Sequence, residues 1–348
     1  MKFVLFCLNN YAFAILNPIK EVLVEKNHDF IWYVAPKIIT SFPYQSDPNT
    51  SSVKAIKAFK SDVIFAPGNE VPYFLRGLKT QIFHGLAGEK KGHFRIRQYF
   101  DLYLTQGPYF TNRFNELKEE HKDFDVIETG WPKLDVYYKN DNELTKEKKS
   151  LLKKYNTKTI ILYAPTFSPK LTSAPHLLEE IKSLAENKDY LILFKFHPLM
   201  AEEWITKYKE LAEVTDNIVY QNEKDITKFL IISDIILSDT SSVVYEFLLL
   251  DKPAITFNSI SSNIVWKDLK TYENLSNEVS ETLNSDSNAE LRKSIIKNYH
   301  PYNDGMSAKR MVEAVESYLT THQVPEKRKI STFRKLKTHY KLLSNKTY

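Results

Sequence analysis

The stretch Ile231–Phe257, IISDIILSDTSSVVYEFLLLDKPAITF, is the part of the chain that best predicts the fold. An apolar strand, Ile235–Leu237, ends in the polar run Ser238–Ser242, and an apolar helix is predicted to follow. The first N–H groups of a helix lack intrahelical partners and the helix dipole is positive there, so this junction suits an anion. Alternatively, Ser241 and Ser242 only cap the helix.

Length and composition narrow the class of protein. The 348 residues suit about two domains. The single cysteine, Cys7, excludes an internal disulfide and a CxxC metal site. Seven of the eight glycines precede residue 131, so the second half has no glycine-rich phosphate loop. No apolar run approaches the roughly 20 residues of a membrane-spanning helix, and we interpret the apolar N-terminus as a buried strand.

Strands and helices alternate along the whole chain, which predicts parallel sheets covered by helices. A Lys- and Glu-rich amphipathic segment near residues 141–158 separates two such halves. We therefore predict an N-terminal Rossmann-like domain over residues 1–140 and a second Rossmann-like domain over residues 141–310. A returning helix over 311–325 and a basic tail over 326–348 are expected to follow. Two such domains are expected to face a central cleft.

Polar clusters end several predicted strands, where open parallel sheets bind ligands. They are His84-Gly85, Thr129-Gly130, Pro165-Thr166, His197-Pro198 and Asp239–Ser242. The GxxxxGK[ST], HExxH, GxSxG and dinucleotide fingerprints are absent from the sequence. We therefore expect no metal, no cofactor and no nucleic-acid partner.

In this order, the clusters resemble those of the CDP-glycerol glycerophosphotransferase family, whose enzymes build teichoic-acid-like polymers. The matching segments are Phe83-His84-Gly85, Thr129–Asp135, Ile161–Phe167, Lys195–Pro198, Ser233-Asp234 through Ser242 with Glu246 and Lys252-Pro253, and Asp304-Gly305 with Ser307. The resemblance implies a GT-B fold and transfer of an alditol phosphate, most simply glycerol phosphate, from a CDP-activated donor. It also implies that the domain over residues 1–140 is on the acceptor side and that the domain over 141–310 binds the nucleotide donor. Where the family commonly has Thr-Pro and lysines, this chain has Leu86–Lys91, so the acceptor side is expected to differ.

The reaction needs a base near the acceptor hydroxyl and hydrogen-bond donors near the phosphates. His84 is the predicted base, because neutral imidazole titrates near the working pH. His197 is predicted to donate to the departing nucleotide phosphate or to act as an acid, held in a turn that Pro198 stiffens. The alternative for both residues is a purely structural histidine at a loop end.

Further residues complete the predicted site. The predicted donor-binding residues are Thr166, Ser241, Ser242, Glu246, Asp304 and Gly305. Glu246 is assigned to the ribose hydroxyls, with a solvated surface carboxylate as the alternative. Asp304 and Gly305 are expected mainly to form a cap and turn before the helix at Ser307. Gly85 and Asp239 are predicted to shape their loops, Asp239 through hydrogen bonds to backbone groups.

The C-terminal segment 326–348 is predicted to bind an anionic membrane surface. It carries eight cations against one acid, Glu326: Lys327, Arg328, Lys329, Arg334, Lys335, Lys337, Lys341 and Lys346. Ile330, Phe333, Leu336, Tyr340 and Leu343 recur at helical spacing and would form an apolar stripe. The expected location is cytoplasmic, on the inner face of a bacterial membrane, with a polysaccharide or lipid-linked acceptor. A solvated basic terminus and a helix packed on the first domain are the alternatives.

Two other functions fit parts of this pattern. A GT-B sugar-nucleotide glycosyltransferase or UDP-sugar 2-epimerase would also place phosphate-binding serines and a ribose-binding glutamate at strand ends. The second alternative is a non-catalytic protein that keeps the fold as a membrane or polymer scaffold, although the presence of both His84 and His197 argues against it.

Overall fold

A computed structural model describes residues 1–86, 92–139, 142–223, 225–261, 264–326, 328 and 330–343. The chain forms two compact α/β units. Unit 1 comprises Met1–Lys139 together with Asn298–Tyr348, and unit 2 comprises Asn140–Lys297. Each unit is built on its own parallel sheet, as the alternation of strand and helix patterns predicts.

The sheet of unit 1 has the order β3-β2-β1-β4-β5-β6-β7, with all pairs parallel. Its strands are β1 Lys2–Cys7, β2 Asp29–Val34, β3 Asn49–Thr50, β4 Val63–Ala66, β5 Leu78–Gln81, β6 Leu102–Thr105 and β7 Asp125–Glu128. The apolar runs of β1 and β4 are buried because helices cover both faces of a parallel sheet.

The helices of unit 1 come from both ends of the chain. They are α1 Tyr11–Glu25, α2 Val53–Phe59, α3 Pro108–His121, α4 Asp135–Tyr138, α12 Ser307–Thr321 and α13 Thr332–Leu343. Helix α12 packs along α1, and Glu316 of α12 bonds both Lys26 (2.6 Å) and His28 (2.6 Å) at the end of α1. The C-terminal residues are therefore part of the first unit.

The sheet of unit 2 has the order β10-β9-β8-β11-β12-β13 and is also parallel throughout. Its strands are β8 Thr159–Tyr163, β9 Tyr190–Phe194, β10 Ile218–Tyr220, β11 Ile235–Ser238, β12 Ala254–Phe257 and β13 Lys267–Leu269. Its helices are α5 Asn142–Tyr155, α6 Leu178–Leu184, α7 Glu202–Glu213, α8 Thr227–Ile232, α9 Val243–Leu248, α10 Leu275–Asn284 and α11 Ala289–Tyr299, the last of which ends in unit 1.

The unit boundaries differ from the expected domain ends at one point. The chain enters unit 2 at Asn140, next to the predicted boundary, but it returns to unit 1 at Asn298 and not after residue 310. The early return has a physical cause, because Asp135 accepts hydrogen bonds from the N–H groups of Ser307 (2.9 Å) and Ala308 (2.8 Å). Asp135 thus caps α12 from 172 residues away.

Helix α13 packs on unit 1 through its polar side, and a buried ion pair precedes it. Arg328 donates to both carboxylate oxygens of Asp101, at 2.7 and 2.6 Å. Arg334 of α13 donates to Gln98 (3.0 Å), and Lys341 pairs with Glu70. These three cations therefore face unit 1, which corrects their assignment to a membrane-facing surface. Lys327, Lys329, Lys346 and the side chain of Leu343 lie outside the described residues.

The predicted apolar stripe of the tail divides in two. Ile330 is buried at 6% relative exposure, whereas Phe333, Leu336 and Tyr340 are 75%, 64% and 65% exposed. The spacing of these three residues places them on one side of α13, opposite Arg334, Thr338 and Lys341. The helix thus turns its polar face inward and its apolar face outward, the reverse of an ordinary surface helix.

Candidate active site

In unit 1, His84 lies where the sheet changes direction. Strands β1 and β4 are neighbours, but the chain leaves β1 toward β2 and later continues from β4 toward β5. Ligands bind at such switch points in open parallel sheets. The His84 ring stacks on Tyr11 at the start of α1 (centroids 5.1 Å apart), and its Nδ1 is 3.1 Å from the carbonyl oxygen of Pro67 after β4.

The bond to Pro67 fixes the proton of the His84 ring. A carbonyl oxygen only accepts hydrogen bonds, so Nδ1 of His84 is the donor. In the neutral ring, the lone pair is then on Nε2, which is the form that a general base requires. The neighbouring Phe83 has φ +59, a left-handed conformation that is unfavourable for a bulky side chain. Such strain is concentrated at functional sites, which favours a functional His84 over a structural one.

The Thr129–Asp135 motif supports the backbone beside His84. Trp131 donates from its indole to the carbonyl oxygen of Phe83 (3.4 Å), and its own N–H donates to Nε2 of His300 (3.0 Å). Gly130 has φ +86, and a Cβ there would lie 2.5 Å from Oγ of Ser307, so glycine is required. His300 was not predicted from the sequence, because its partner is 169 residues away.

Gly85, Asp304 and Gly305 are also in unit 1. The carbonyl oxygen of Gly85 accepts from Gln106 (3.0 Å), and a Cβ at Gly85 would meet no described atom within 4 Å. Asp304 accepts from the Met306 N–H (3.0 Å) and from Arg310 (2.6 Å), which keeps its pKa low. Gly305 has φ +67 in the same turn. Asp304 and Gly305 thus form a turn and cap in unit 1, not in the unit of the other donor-binding candidates.

Unit 2 repeats the switch-point arrangement at β8 and β11. The chain leaves β8 toward β9, whereas β11 continues toward β12. Asp239, which follows β11, accepts hydrogen bonds from the Thr166 N–H (2.7 Å), the Ser173 N–H (2.8 Å) and the Ser173 hydroxyl (2.9 Å). The buried carboxylate therefore holds the loop that follows β8. Burial raises the pKa of Asp239 to about 6 in spite of these three bonds.

His197 follows β9 in the same unit and has the opposite tautomer to His84. Its Nδ1 is 3.1 Å from the backbone N–H of Leu199, and a backbone N–H only donates, so Nδ1 accepts. The neutral ring therefore carries its proton on Nε2. Burial, followed by the positive charge of Lys195, lowers the pKa of His197 and keeps the ring neutral. Phe167, next to Thr166, stacks on the ring with centroids 4.4 Å apart.

The remaining donor-binding candidates lie at and within α9. Ser241 Oγ accepts from the Val243 N–H (3.4 Å), and Ser242 is the first residue outside the helix, without a side-chain cap bond. Glu246 is 6% exposed, so it is not the solvated surface carboxylate that the sequence left open. Lys252 donates to the carbonyl oxygens of Ile231 and Ser233 (2.5 and 2.7 Å), which neutralises the end of α8.

The structure thus brings the predicted residues together in two groups. One group, in unit 1, contains His84 and Gly85. The turn at Asp304 and Gly305 belongs to the same unit but is not part of this group. The other, in unit 2, joins Thr166 to Asp239 by a hydrogen bond and His197 to the same loop through Phe167. Tyr11 and Ser173 were missed because tyrosine and serine are common outside sites. The described residues contain no group of three or more His, Cys, Asp or Glu side chains placed for a metal ion.

Two parallel α/β units, each with a polar cluster at its own switch point, define a protein of the GT-B type, as predicted. Solved structures show the same fold. The wall teichoic acid polymerase TagF superposes with a TM-score of 0.65 at 17% identity, covering 92% of this chain and 89% of that one. The UDP-GlcNAc 2-epimerase from Neisseria meningitidis, bound to UDP-GlcNAc, has a TM-score of 0.66 at 15% identity, covering 91% and 100%.

The sequence identifies the family. Residues 84–317 match the profile of CDP-Glycerol:Poly(glycerophosphate) glycerophosphotransferase, and the chain belongs to this family. It is 32% identical over 251 residues to a teichoic acid glycerol-phosphate primase of Bacillus spizizenii, covering 71% of this chain and 57% of that protein. It is 23% identical over 282 residues to the teichoic acid ribitol-phosphate polymerase TarK of Staphylococcus aureus, covering 72% and 53%. The chain spans 22% to 57% of the length of the first five such relatives.

Proposed function

We propose that this protein transfers an alditol phosphate, glycerol phosphate in the first place, from a CDP-activated donor to a hydroxyl group of a polysaccharide or lipid-linked acceptor. One observation supports the proposal best. His84 in unit 1 and His197 in unit 2 each follow a strand, and their neutral rings have opposite tautomers. A base and a neutral hydrogen-bond donor are the two groups that such a transfer needs.

The proposed reaction is a displacement at phosphorus. The acceptor oxygen attacks the phosphorus that carries the alditol, a new P–O bond forms, and the bond to the bridging oxygen breaks to release CMP. Nε2 of His84 takes the hydroxyl proton. Nε2–H of His197 donates a hydrogen bond to the departing phosphate, whose negative charge grows as the bond breaks.

The donor is assigned to unit 2. Ser241 and Ser242 supply hydroxyl groups to the diphosphate, Thr166 contributes from the loop after β8, and Glu246 binds the ribose hydroxyls. Asp239 orders that loop through its bonds to Thr166 and Ser173. Asp304 and Gly305 are left out of the donor contacts, because Asp304 is paired with Arg310 in unit 1.

The direct test is incubation with labelled CDP-glycerol and CDP-ribitol and a panel of oligosaccharide and lipid-linked acceptors, followed by mass spectrometry. The proposal expects an added alditol phosphate and one CMP per transfer. UDP-GlcNAc is the control donor for the glycosyltransferase and epimerase alternatives. Turnover of UDP-sugars alone would refute the proposal, and tight polymer binding without turnover of any donor would favour the non-catalytic function.

We also propose that α13 binds the anionic inner surface of a bacterial membrane. The outward side chains Phe333, Leu336 and Tyr340 form an exposed apolar stripe, and Lys335 and Lys337 are exposed beside it. Exposed apolar stripes with neighbouring cations are typical of helices that lie in the headgroup layer. No helix among the described residues is long and apolar enough to cross a membrane.

The structure suggests a better test than removal of the tail. Truncation after Pro325 would also remove Arg328 and leave Asp101 buried without its partner. The triple variant Phe333→Ser, Leu336→Ser, Tyr340→Ser keeps the inward contacts of α13. We expect it to lose co-sedimentation with phosphatidylglycerol vesicles while turnover with a water-soluble acceptor is retained. Undiminished sedimentation of the variant would exclude the stripe as the membrane contact.

A further inference from the structure

Three side chains of unit 1 form a chain of hydrogen bonds that ends beside His84. Nζ of Lys37 donates to Oδ1 of Asn9 (2.9 Å), and Nδ2 of Asn9 donates to the hydroxyl oxygen of Tyr11 (3.1 Å). The ring of Tyr11 then stacks on that of His84, with centroids 5.1 Å apart and planes inclined by 27°. Lys37, Asn9 and Tyr11 all precede residue 84, where the family profile begins to match, so the profile assigns them no role.

The lysine fixes the direction of every bond in this chain. An ammonium group only donates, so Lys37 faces the carbonyl oxygen of the Asn9 amide. The NH2 group of Asn9 is therefore turned toward Tyr11, and because it also only donates, the tyrosine oxygen accepts. A phenol keeps its proton at neutral pH, and this proton is not shared with Asn9. The Tyr11 hydroxyl is thus oriented as a donor toward a third group.

The backbone beside this hydroxyl leaves room for a ligand. Gly68 follows Pro67, whose carbonyl oxygen accepts from His84. A Cβ at Gly68 would lie 3.9 Å from the Tyr11 oxygen, an ordinary van der Waals contact, and φ of Gly68 is outside the left-handed region. Neither packing nor backbone conformation therefore requires glycine here, whereas glycine does allow a ligand to approach the backbone closely. Tyr11 is 40% exposed, so a ligand can reach it.

We propose that Tyr11 binds the acceptor by donating a hydrogen bond to the oxygen on the carbon next to the attacking hydroxyl, and that Asn9 and Lys37 are positioning residues that keep its proton available. The inference rests on the proposed function, in which Nε2 of His84 takes the proton of the attacking hydroxyl. Rings stacked 5.1 Å apart are close enough for one small ligand to contact both. An alditol or a sugar carries oxygens on neighbouring carbons, whereas a simple alcohol lacks the second oxygen. Tyr11 therefore selects vicinal diols as acceptors.

Two variants remove the same donor by different routes. Tyr11→Phe keeps the ring on His84 and loses the hydroxyl. Asn9→Asp keeps the shape of the side chain and its contact with Lys37, but its carboxylate only accepts and takes the proton of Tyr11. With glycerol as the acceptor and a saturating CDP-alditol donor, we expect both variants to raise the acceptor KM about 5-fold, the scale of one neutral hydrogen bond. The donor KM should stay unchanged in both, and the pH profile of kcat should stay unchanged in Tyr11→Phe.

A second acceptor and a double variant separate this role from a purely structural one. 1,3-Propanediol keeps the primary hydroxyl groups of glycerol and lacks the central one, so its KM should be the same in the wild type and in Tyr11→Phe. The double variant Tyr11→Phe, Asn9→Asp should be no worse than either single variant, because all three lose the same bond. If Asn9 only supported the fold, Asn9→Asp would gain an ion pair with Lys37 and keep the wild-type KM. Asn115→Asp adds the same charge at an exposed position of α3 and is the matched control.

Each outcome decides the question. A wild-type KM for glycerol in Tyr11→Phe or Asn9→Asp, an equal rise for 1,3-propanediol, or additive losses in the double variant would overturn the proposed role. A lower kcat with an unchanged acceptor KM would show that Tyr11 acts only through the His84 ring, which also overturns it. If glycerol is not an acceptor, NMR titration of the two diols decides alone. Glycerol binding that is weakened equally in the two variants supports the site, and equal binding by all three proteins, or none, refutes it. Absence of turnover of CDP-alditols with every acceptor is the separate result that refutes the proposed function.

Discussion

The two candidate histidines occupy comparable places in the two units and have opposite hydrogen-bond environments. Both follow a strand of a parallel sheet, and each ring rests on an aromatic neighbour, Tyr11 for His84 and Phe167 for His197. A carbonyl oxygen accepts from Nδ1 of His84, whereas a backbone N–H donates to Nδ1 of His197. The other ring nitrogen, Nε2, consequently carries the lone pair in neutral His84 and the proton in neutral His197.

The difference shows that a residue type does not by itself assign a catalytic role. Identical side chains at similar strand ends have different chemistry because one neighbouring backbone group fixes the position of the proton. In unit 1 this group is the carbonyl of Pro67 from a neighbouring strand, and in unit 2 it is the N–H of Leu199 in a local turn. Alanine variants test whether each ring is needed for turnover. Glutamine variants, which keep a hydrogen-bond donor but have no basic nitrogen, test which function each ring supplies.

The largest effect is expected from removal of the proposed base. His84→Ala should lower kcat by roughly 10²-fold or more, the usual scale for loss of a general base. The melting temperature should stay near that of the wild type, because His84 lies at an exposed loop end. His121→Ala removes an exposed histidine of α3 and is the control. Wild-type turnover in His84→Ala would remove this residue from the site.

Glutamine substitution distinguishes a histidine that acts as a hydrogen-bond donor from one that acts as a base. A glutamine amide places an N–H donor near the position of Nε2 but has no basic nitrogen. We therefore expect His197→Gln to be about 10-fold more active than His197→Ala, the scale of one hydrogen bond to a charged group. His84→Gln should be no more active than His84→Ala. Equal rescue at both positions would contradict the assignment of opposite tautomers.

The serines test whether unit 2 binds the donor. The double variant Ser241→Ala, Ser242→Ala should raise the donor KM by at least about 10-fold, the effect of losing one hydrogen bond of roughly 1.5 kcal/mol to a charged phosphate. The value of kcat should change less, since these hydroxyls bind the phosphates similarly in the ground and transition states. An unchanged donor KM would show that the serines serve only the backbone of α9.

Much of the fold was predictable from the sequence because its strands are short apolar runs. The predicted strand Ile235–Leu237 lies within β11, and the apolar helix predicted after Ser242 is α9 in the structure. The edge strands Asn49–Thr50 and Lys267–Leu269 were missed, since they are short and polar and their positions depend on neighbouring strands. Propensity gives little information about such edges.

The tail and the site show what the pattern of residues does not determine. Helical spacing correctly grouped Phe333, Leu336 and Tyr340 on one face, but periodicity alone does not say which face is buried. Arg328, which pairs with the buried carboxylate of Asp101, lies just before α13. This helix packs on unit 1 through its polar side. Similarly, the motifs identified His84 and His197, but their tautomers depend on the groups that fold against Nδ1.

The smallest effect concerns the carboxylate that orders the donor loop. The pKa of Asp239 is about 6 in the folded protein, above the usual value of 3.8. The native state therefore binds more protons than the unfolded state between these two values, so the free energy of unfolding should fall as pH rises from about 4 to about 6. The change from this residue should not exceed about 3 kcal/mol, by the conversion of 1.36 kcal/mol per pKa unit. Burial also raises the pKa of Asp135 in unit 1, so the contribution of Asp239 is the difference in slope between the wild type and the Asp239 variant. Asp239→Asn should flatten the difference in unfolding free energy between pH 4 and 6, measured by urea denaturation with fluorescence detection. The variant also loses one acceptor for the bonds from Thr166 and Ser173, so we expect a higher donor KM at neutral pH. A slope in Asp239→Asn equal to that of the wild type would show that another group titrates in this range.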